Sequence, residues 1–188
     1  TKLFYIPNGV DINKFKPKKS AMKQFNNEAM NILSVARLEK QKNLDSLIKA
    51  VALLKSKDKI SLLFIGSGSL RVQLIKLAKD LRVNLKIIDR VSHDRIVKYY
   101  QRADIFCLLS FLEGQPKALL EAMACGLSCL IGKYVGSEEF KKEVLITGFK
   151  TKEIAHNLER LTKDINLRKN LTRNARKRIE KSRNKLLY

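Results

Sequence analysis

Two glutamates, Glu113 and Glu121, lie eight positions apart in the segment FLEGQPKALLEAMACG, residues 111–126. Gly114 and Pro116 follow the first glutamate and suit a turn and the first position of a helix. This spacing places Glu121 about one and a half turns into that helix, roughly 6 to 8 Å further along its axis. Two ionised carboxylates at that separation can accept hydrogen bonds from two different sets of hydroxyl groups on one elongated ligand.

The start of the same predicted helix offers a second set of binding groups. Backbone N–H groups between Gly114 and Leu119 have no partner within the helix and are available to an anion or to sugar hydroxyls. In the alternative interpretation, Glu113 only complements the helix dipole and Glu121 lies on the surface. Apolar neighbours argue against an exposed Glu121, namely Leu119, Leu120, Ala122, Met123 and Ala124.

A pair of cations follows another apolar run, NILSVA at residues 31–36. Arg37 and Lys42 stand in the loop that leads from this run into a helix start. Paired positive charge together with helix N-terminal amides would hold a pyrophosphate. A solvated basic loop accounts for the same residues in so lysine-rich a chain, so both interpretations stay open here.

A glycine-rich turn, GSGS at residues 66–69, follows the apolar run SLLFIG. Small residues at such a turn let backbone amides approach a phosphate closely. The third glycine position of a dinucleotide fingerprint is occupied by Arg71, however. A plain strand-to-helix turn is therefore the simpler explanation of these residues taken alone.

Apolar runs typical of strands alternate with helical patterns through much of the chain. Strands are predicted at 31–36, 61–66, 85–88, 104–109 and 127–132, and helices at 44–54, 70–81, 93–102, after Pro116 and from Thr151 onward. Parallel strands need crossover connections, so this order predicts an α/β fold, a Rossmann-like parallel sheet with helices on both faces. Loops that follow the strands then meet at one edge of the sheet, where open sheets of this kind bind ligands.

The composition indicates one globular domain and an attraction to polyanions. The chain has 188 residues with 39 Lys+Arg against 18 Asp+Glu, a formal charge of +21. That excess attracts phosphate groups, nucleic acid or an anionic membrane surface. We predict an inter-domain segment at 1–20, a Rossmann-like domain at 21–166 and a basic C-terminal helix at 167–188 with a narrow apolar stripe of Leu171, Ala175 and Ile179.

The cysteines and the absence of long apolar runs favour a cytoplasmic protein. Cys107, Cys125 and Cys129 are odd in number and lie in apolar surroundings, which predicts neither a disulfide framework nor a zinc site. No apolar run approaches the roughly 18 residues that span a bilayer. The first residues, TKLFYIPNGVD, contain no initiator Met and no signal-peptide core, so we expect a chain cut from something longer.

The segment EGQPKALLEAMACG resembles the E-x7-E motif of retaining glycosyltransferases with the GT-B fold, in particular those of family 4. IPNGVDINKFKP at 6–17 is similar to the start of that family's C-terminal domain, SVARLEKQKN to its Arg-x4-Lys segment and LFIGSGSLR to its Gly-x-Gly turn. YYQRADIFCLLSFLEG is similar to the approach to the motif. These segments cover about residues 4–135 in the family's order, which implies the C-terminal half of a GT-B fold.

The resemblance implies a role for each candidate site residue. Arg37 and Lys42 would bind the diphosphate of a nucleotide-sugar donor and stabilise the leaving group, so with Glu113 they are the candidate catalytic residues. Glu121 would accept the ribose hydroxyls, and Glu113 would hold hydroxyls of the donor sugar. The remaining donor-binding candidates are Gly66 at the phosphates, the backbone of Arg90 and Val91 at the base, and Gly114, Gln115, Pro116, Lys117, Ala118 and Leu119 after the first glutamate.

The family also implies what else the reaction uses. Arginine and lysine charge replaces a divalent cation, so we expect no metal and no cofactor beyond the donor substrate. The expected partners are a nucleotide-sugar donor, a glycan or lipid-linked acceptor and the family's N-terminal domain, with an anionic membrane surface as a further possibility. That N-terminal domain is absent here, so we expect a half-enzyme that is inactive alone.

The sequence departs from the family at two places. Ser128 stands where the family usually has proline, and the stretch KEVLITGFKTKE is shorter than the family's glycine-rich turn. These differences concern the loop near residues 133–150 and leave the donor site intact.

Two other functions fit part of the sequence. A nucleic-acid-binding domain would explain the charge, but the chain has no Trp, few aromatic residues and no base-reading motif, and it would place Glu113 and Glu121 against phosphates. A sugar-nucleotide epimerase of similar fold would be expected to place a catalytic histidine and its acids differently, and His93 and His156 lie outside the motif loops. The donor-binding hypothesis explains more of the residues.

Overall fold

The computed structural model of the chain describes residues 9–17, 29–114 and 116–185. The strands are β1 (Met30–Val35), β2 (Ile60–Ile65), β3 (Asn84–Ile88), β4 (Ile105–Leu108), β5 (Ser128–Gly132) and β6 (Leu145–Thr147). The α-helices are α1 (Leu44–Ala52), α2 (Arg71–Asp80), α3 (His93–Tyr100), α4 (Lys117–Ala124), α5 (Thr151–Lys163) and α6 (Ile165–Lys185). Short 3₁₀ helices occupy Lys40–Lys42, Lys57–Lys59 and Ser137–Phe140.

The strands form one parallel sheet in the order β3-β2-β1-β4-β5-β6. β1 pairs with β2 from Met30 opposite Ile60 to Val35 opposite Ile65, and with β4 on its other side. The strand order therefore reverses between β1 and β4, and the loops after these two strands diverge to leave a crevice. This confirms the predicted fold class and places the loops of Arg37 and Glu113 on either side of the crevice.

Strand β6 was not predicted from the sequence. It has only three residues, two of which are half-buried, so it lacks the apolar run that marks the other strands. β6 is identified instead by its pairing with β5. In this pairing Leu130, Ile131 and Gly132 lie opposite Leu145, Ile146 and Thr147. The segment after the fifth predicted strand therefore continues the sheet.

Each face of the sheet carries its own apolar core. On one face, α1, α2 and α5 cover side chains such as Ile32, Leu62 and Leu130. On the other face, α3, α4 and part of α6 cover side chains such as Leu33 and Phe106. Adjacent residues of one strand thus point to opposite cores, which is why the strands read as continuous apolar runs.

The basic helix α6 packs against the domain. It begins at Ile165, two residues before its predicted start, and its apolar stripe of Leu171, Ala175 and Ile179 is buried. Arg176 donates a hydrogen bond to the carbonyl of Ala124 at 2.8 Å, at the end of α4. Because the core covers the apolar stripe, any contact of this helix with an anionic surface has to use its charges.

The loops after β1 and β2 lie in direct contact. Ala36 donates its N–H to the carbonyl of Ile65 at 3.1 Å, and Leu38 donates to Ser67 at 2.9 Å. Gly66 has φ +150°, and a Cβ atom at this position would lie 2.0 Å from the carbonyl oxygen of Ala36. The close approach of the two loops thus requires glycine.

We expect Gly66→Ala to lower the free energy of unfolding by about 3 kcal/mol, because the methyl group meets backbone that cannot move aside. Urea denaturation measures the change. The matched control is Gly114→Ala, since nothing lies within 4 Å of a Cβ atom there. A control as destabilised as Gly66→Ala would show that the loop contact does not require glycine.

Candidate functional site

An ion pair joins the two loops that flank the crevice. Lys42 Nζ lies 2.7 Å from Glu113 Oε1, and the two side chains are only 14% and 13% exposed. The partners are 71 positions apart in the chain, and each follows a different strand. A shielded ion pair of this kind is stronger than a surface pair because water screens it less. The structure therefore brings together two of the three candidate catalytic residues.

Gln41 holds the same two loops in register. Its carbonyl accepts the N–H of Phe111 at 3.0 Å, and its side-chain amide donates to the carbonyl of Leu112 at 3.0 Å. These bonds fix the backbone immediately before Glu113. Sequence reasoning missed Gln41, and its only signal is its position between two cations in the loop after β1.

A cavity of about 220 Å³ lies at the carboxyl ends of β1, β2 and β3. Its lining includes four predicted residues, Arg37, Gly66, Arg90 and Val91. The other lining residues are mostly apolar, namely Val35, Ala36, Ile65, Ser67 and Ile96. Apolar walls with arginines at the rim suit a flat ring that carries an anionic group. The structure thus places these four predicted residues around one cavity.

The glycine-rich turn is partly occupied by a carboxylate of the chain itself. Glu39 accepts hydrogen bonds from the Ser69 N–H at 3.0 Å and from the Ser69 hydroxyl at 2.9 Å. The backbone hydrogen bond from Ser69 is the main reason why the pKa of Glu39 is lowered. The Ser69 amide is therefore already used, and the turn offers a phosphate less than its sequence indicates.

Glu121 is buried beside helix α3. Its residue is 6% exposed, so the alternative of a surface glutamate is wrong. The Tyr100 hydroxyl donates to Oε2 at 2.9 Å, and His93 Nε2 lies 3.5 Å from Oε1. Tyr100 thus holds one carboxylate oxygen, while the other faces the half-exposed imidazole of His93.

Sequence reasoning missed both α3 residues. His93 and Tyr100 are seven positions apart in one helix, so they lie on the same helical face. His93 lies outside the motif loops, as its position in the sequence indicates, yet its imidazole faces Glu121 from α3. The helical spacing was visible in the sequence, but which partner the face meets was not.

Residues 9–17 hold α3 in place over the glutamate. Phe15 is fully buried, with its ring centroid 5.0 Å from that of His93 and 6.0 Å from that of Tyr100. Lys14 Nζ pairs with Asp94 at 2.6 Å at the start of the same helix. Only this part of the predicted inter-domain segment 1–20 is described, and it packs as part of the domain.

The helix after Glu113 differs slightly from prediction. Pro116 is the N-cap of α4, one position before the first helical residue, Lys117. Leu119 donates its N–H to the carbonyl of Pro116 at 2.9 Å, so the expectation that this amide is free for a ligand is wrong. Gly114 directly follows Glu113 in the loop after β4, and Ala118 lies in the first turn of α4. Gln115 lies outside the described residues.

Burial and neighbours act in opposite directions on Glu121. Burial raises the pKa of this carboxyl above its ordinary value of 4.5, while the hydrogen bond from Tyr100 and the charges of Lys117, His93 and Lys14 lower it. Burial and the adjacent carboxylate also raise the pKa of Tyr100 well above its ordinary value. Tyr100 therefore stays a neutral hydroxyl that donates to Glu121.

We expect the stability of the domain to depend on pH through Glu121. Between 4.5 and the raised pKa of this carboxyl, the folded state binds more protons than the unfolded state. The free energy of unfolding therefore falls as pH rises through this window. Glu121→Gln removes the titration, so the variant should gain stability relative to the wild type as pH rises, and keep that gain at higher pH.

Urea denaturation of the two proteins from about pH 5 to pH 8 measures this difference. The same comparison in a His93→Gln background separates the carboxyl from the imidazole beside it. Unfolding free energies that stay parallel over the whole range would contradict the expectation.

Other site chemistry is scarce in the described ranges 9–17, 29–114 and 116–185. No group of three or more His, Cys, Asp or Glu side chains there could hold a metal ion. Cys107, Cys125 and Cys129 are free and buried. No helix in this part of the chain is long and apolar enough to cross a membrane.

A family model described as glycosyl transferases group 1 matches residues 15–178. A curated relative from Corynebacterium glutamicum, a GDP-mannose-dependent monoacylated alpha-(1-6)-phosphatidylinositol monomannoside mannosyltransferase, is 31% identical over 150 residues, or 72% of this chain and 39% of the relative. A Campylobacter jejuni alpha-1,4-N-acetyl-D-galactosaminyltransferase, named for a substrate linked to PP-undecaprenol, is 30% identical over 158 residues, or 79% of this chain and 43% of the relative. The chain thus spans about two fifths of the length of these relatives.

Two solved structures have the same fold. Sucrose-phosphate synthase from Thermosynechococcus elongatus superposes with a TM-score of 0.81 at 22% identity, over 94% of this chain and 47% of that one. The C-terminal domain of a group 1 family protein from Francisella tularensis superposes with a TM-score of 0.78 at 21% identity, over 92% of this chain and 97% of that domain. The second match covers nearly the whole of that domain.

Proposed function

Because this chain belongs to the glycosyl transferases group 1 family, we propose that it is the donor-binding half of a retaining glycosyltransferase with the GT-B fold. The whole enzyme would move a sugar from a nucleotide diphosphate sugar to a glycan or lipid-linked acceptor. The observation that carries the proposal is the shielded Lys42–Glu113 pair across the crevice between β1 and β4. It sets a cation and a carboxylate side by side at the edge where such sheets bind nucleotides.

The cations on the β1 side are assigned to the diphosphate. Arg37 lines the cavity at the strand ends, and Lys42 stands at the crevice. In this proposal the diphosphate displaces Glu113 from Lys42, which turns the carboxylate toward hydroxyls of the donor sugar. Positive charge that is already in place stabilises the departing diphosphate without a metal ion.

The nucleoside is assigned to the cavity at the ends of β1, β2 and β3 and to Glu121 on α4. The apolar cavity beside Arg90 and Val91 has room for a base, and Gly66 lets the backbone come close to the phosphates. Glu121 would use the oxygen that faces His93 to accept a hydrogen bond from the ribose, since Tyr100 holds the other oxygen. The backbone around Gly114, Gln115, Pro116, Lys117 and Ala118 would contact the sugar.

The proposed acceptor and the proposed cellular location rest on analogy with the relatives. Relatives are named for glycolipid and polysaccharide synthesis, so we propose an acceptor of a cell-surface polysaccharide or glycolipid. A second domain, which the length of the relatives implies, would supply most of the acceptor site. We propose that the protein is cytoplasmic and binds the cytoplasmic face of the membrane, because its charge of +21 favours contact with an anionic surface.

The alternatives have less support. The position of His93 beside Glu121 removes one argument against an epimerase, but the curated relatives described above are named as transferases. A nucleic-acid-binding role leaves the buried Glu121 and the shielded ion pair without a purpose.

Calorimetric titration of this chain with UDP, GDP, ADP and UDP-sugars, with and without EDTA, tests the proposal. We expect one nucleoside diphosphate to bind selectively, and EDTA to leave its affinity unchanged. Duplex DNA at the same ionic strength is the control for simple attraction to a basic protein. If DNA binds and no nucleotide does, the donor-binding proposal is wrong.

A further inference from the structure

A second opening, of about 640 Å³, lies between α1 and α2 beside the loop after β1. We call it the α1–α2 cleft. Four of its ten lining residues are apolar, namely Leu70, Leu74, Leu77 and Phe111, and the polar ones include Ser46 and Gln73. Sites for small organic ligands have volumes of this order, about 300 to 1,000 Å³. The α1–α2 cleft shares no lining residue with the cavity of Arg37 and Arg90.

The apolar part of the cleft wall comes from α2 and from the loop after β4. Leu70, the N-cap of α2, and Leu74 and Leu77 within the helix follow one another at helical spacing, so they form one face along α2. Phe111 adds an aromatic ring that is 50% exposed. The apolar surface continues past this ring, because Phe149 stacks against it at 4.8 Å and Leu112 is also exposed. Contiguous exposed apolar surface of this kind marks a place where something binds.

The rim of the cleft carries one uncompensated positive charge. Lys49 is paired with Asp45 at 2.8 Å, which neutralises both. Lys40 is exposed, and no ion pair of Lys40 is found within residues 9–17, 29–114 and 116–185. A ligand that buries an apolar part on the leucines and Phe111 would therefore meet a cation at the mouth.

Two of the cleft's lining residues belong to the loops that carry the proposed reaction centre. Lys40 stands two residues before Lys42, and Phe111 two residues before Glu113. The hydrogen bond from the Phe111 N–H to the Gln41 carbonyl ties these two stretches together. A molecule in the α1–α2 cleft would thus contact both loops that carry the Lys42–Glu113 pair.

We propose that the α1–α2 cleft binds the apolar part of the acceptor, and that this acceptor is an amphiphile with a phosphate-like anionic group next to its hydrocarbon. The hydrocarbon lies on Leu70, Leu77 and Phe111, and the anionic group faces Lys40. The inference rests on the proposed function, because an acceptor has meaning only for a transferase. It goes further by giving this half of the enzyme a part in acceptor binding.

The test uses n-octyl phosphate and n-decyl phosphate below their micelle-forming concentrations, with inorganic phosphate and n-octyl glucoside as references. Binding to the 188-residue chain is followed by amide chemical shifts in an NMR titration. We expect shifts around Ser46 and Gln73, and affinity that rises about fourfold for each methylene that the cleft buries. Inorganic phosphate should produce no shifts in the cleft.

Two variants locate the site. Each changes an exposed side chain, so we expect both variants to fold. Phe111→Ala should weaken both alkyl phosphates about tenfold. Lys40→Ala should weaken n-octyl phosphate and leave n-octyl glucoside unchanged. Val72→Ala and Lys76→Ala, exposed positions of α2 outside the cleft lining, are the matched controls and should change nothing.

Several results would overturn the inference. The first two are no binding of the alkyl phosphates and an affinity that does not depend on the length of the alkyl chain. The other two are an equal loss of affinity in the Val72→Ala and Lys76→Ala controls and displacement of n-octyl phosphate by the preferred nucleoside diphosphate. Dimerisation that n-octyl phosphate dissolves would instead assign the cleft to a second copy of the chain. The nucleotide titration on the same sample separates the two proposals, since nucleotide binding without alkyl phosphate binding overturns only this inference.

Discussion

Lys42→Met is expected to weaken the binding of the preferred nucleoside diphosphate by roughly ten- to a hundredfold, the scale of a lost hydrogen bond between charged groups. Methionine keeps the length of the side chain and removes only the ammonium group. The Lys42 side chain is only 14% exposed, so its interaction with a diphosphate is poorly screened. In a full-length active form, turnover should fall further than affinity if Lys42 also stabilises the departing diphosphate.

The partner variant should act in the opposite sense. Glu113→Gln frees Lys42 from its ion pair, so the sugar-free nucleoside diphosphate should bind at least as tightly as in the wild type. The additional affinity that the sugar of the full donor provides should decrease, because Glu113 is the proposed sugar contact. Calorimetry with both ligands on both variants separates these effects.

The matched control for charge is Lys152→Met, an exposed position in the first turn of α5. It removes the same unit charge and should leave nucleotide affinity within a factor of two. If Lys152→Met weakens binding as much as Lys42→Met, the affinity comes from the overall charge of the chain and the assignment of Lys42 is wrong.

Glu121→Ala is expected to weaken nucleoside diphosphate binding by about 1 to 3 kcal/mol, since it removes a charged hydrogen-bond acceptor from the ribose. The physical reason is the arrangement around the carboxylate. Tyr100 holds one oxygen at 2.9 Å, which leaves the other oriented for a ligand. Unchanged affinity would contradict the ribose assignment.

A 2′,3′-dideoxy form of the same nucleotide makes this test specific. The wild type should bind it more weakly than the normal nucleotide, and the Glu121→Ala variant should bind the two equally. Glu159→Ala, at a carboxylate that pairs with Lys163 on α5, is the surface control and should preserve the wild-type preference. A preference that survives in Glu121→Ala would place the ribose contact on another residue.

The expected effects on binding and on stability have opposite signs for Glu121. Removing Glu121 should weaken nucleotide binding, whereas burial of its charged form should disfavour the folded state at neutral pH. Buried charges that lower stability are common at functional sites. A variant such as Glu121→Gln that is more stable and binds less nucleotide would show both properties in one side chain.

Much of the fold was determined by the sequence alone. Five of the six strands are long or apolar enough to stand out, and the helices between them force parallel connections. The loops that carry Arg37, Lys42, Gly66 and Glu113 follow directly from that order, because the carboxyl ends of parallel strands share one edge. The E-x7-E spacing likewise placed Glu121 on the helix after Glu113.

The tertiary structure alone decided which of these residues touch. The Lys42–Glu113 pair spans 71 positions and depends on β1 and β4 being neighbours, while Gln41 sets the two loops in register. Tyr100 and His93 meet Glu121 only because α3 packs beside α4, with Phe15 behind them. Local sequence patterns indicate periodicity and turn chemistry within one segment. These contacts join different segments, and the packing of the whole sheet and its helices sets the distance in space between those segments.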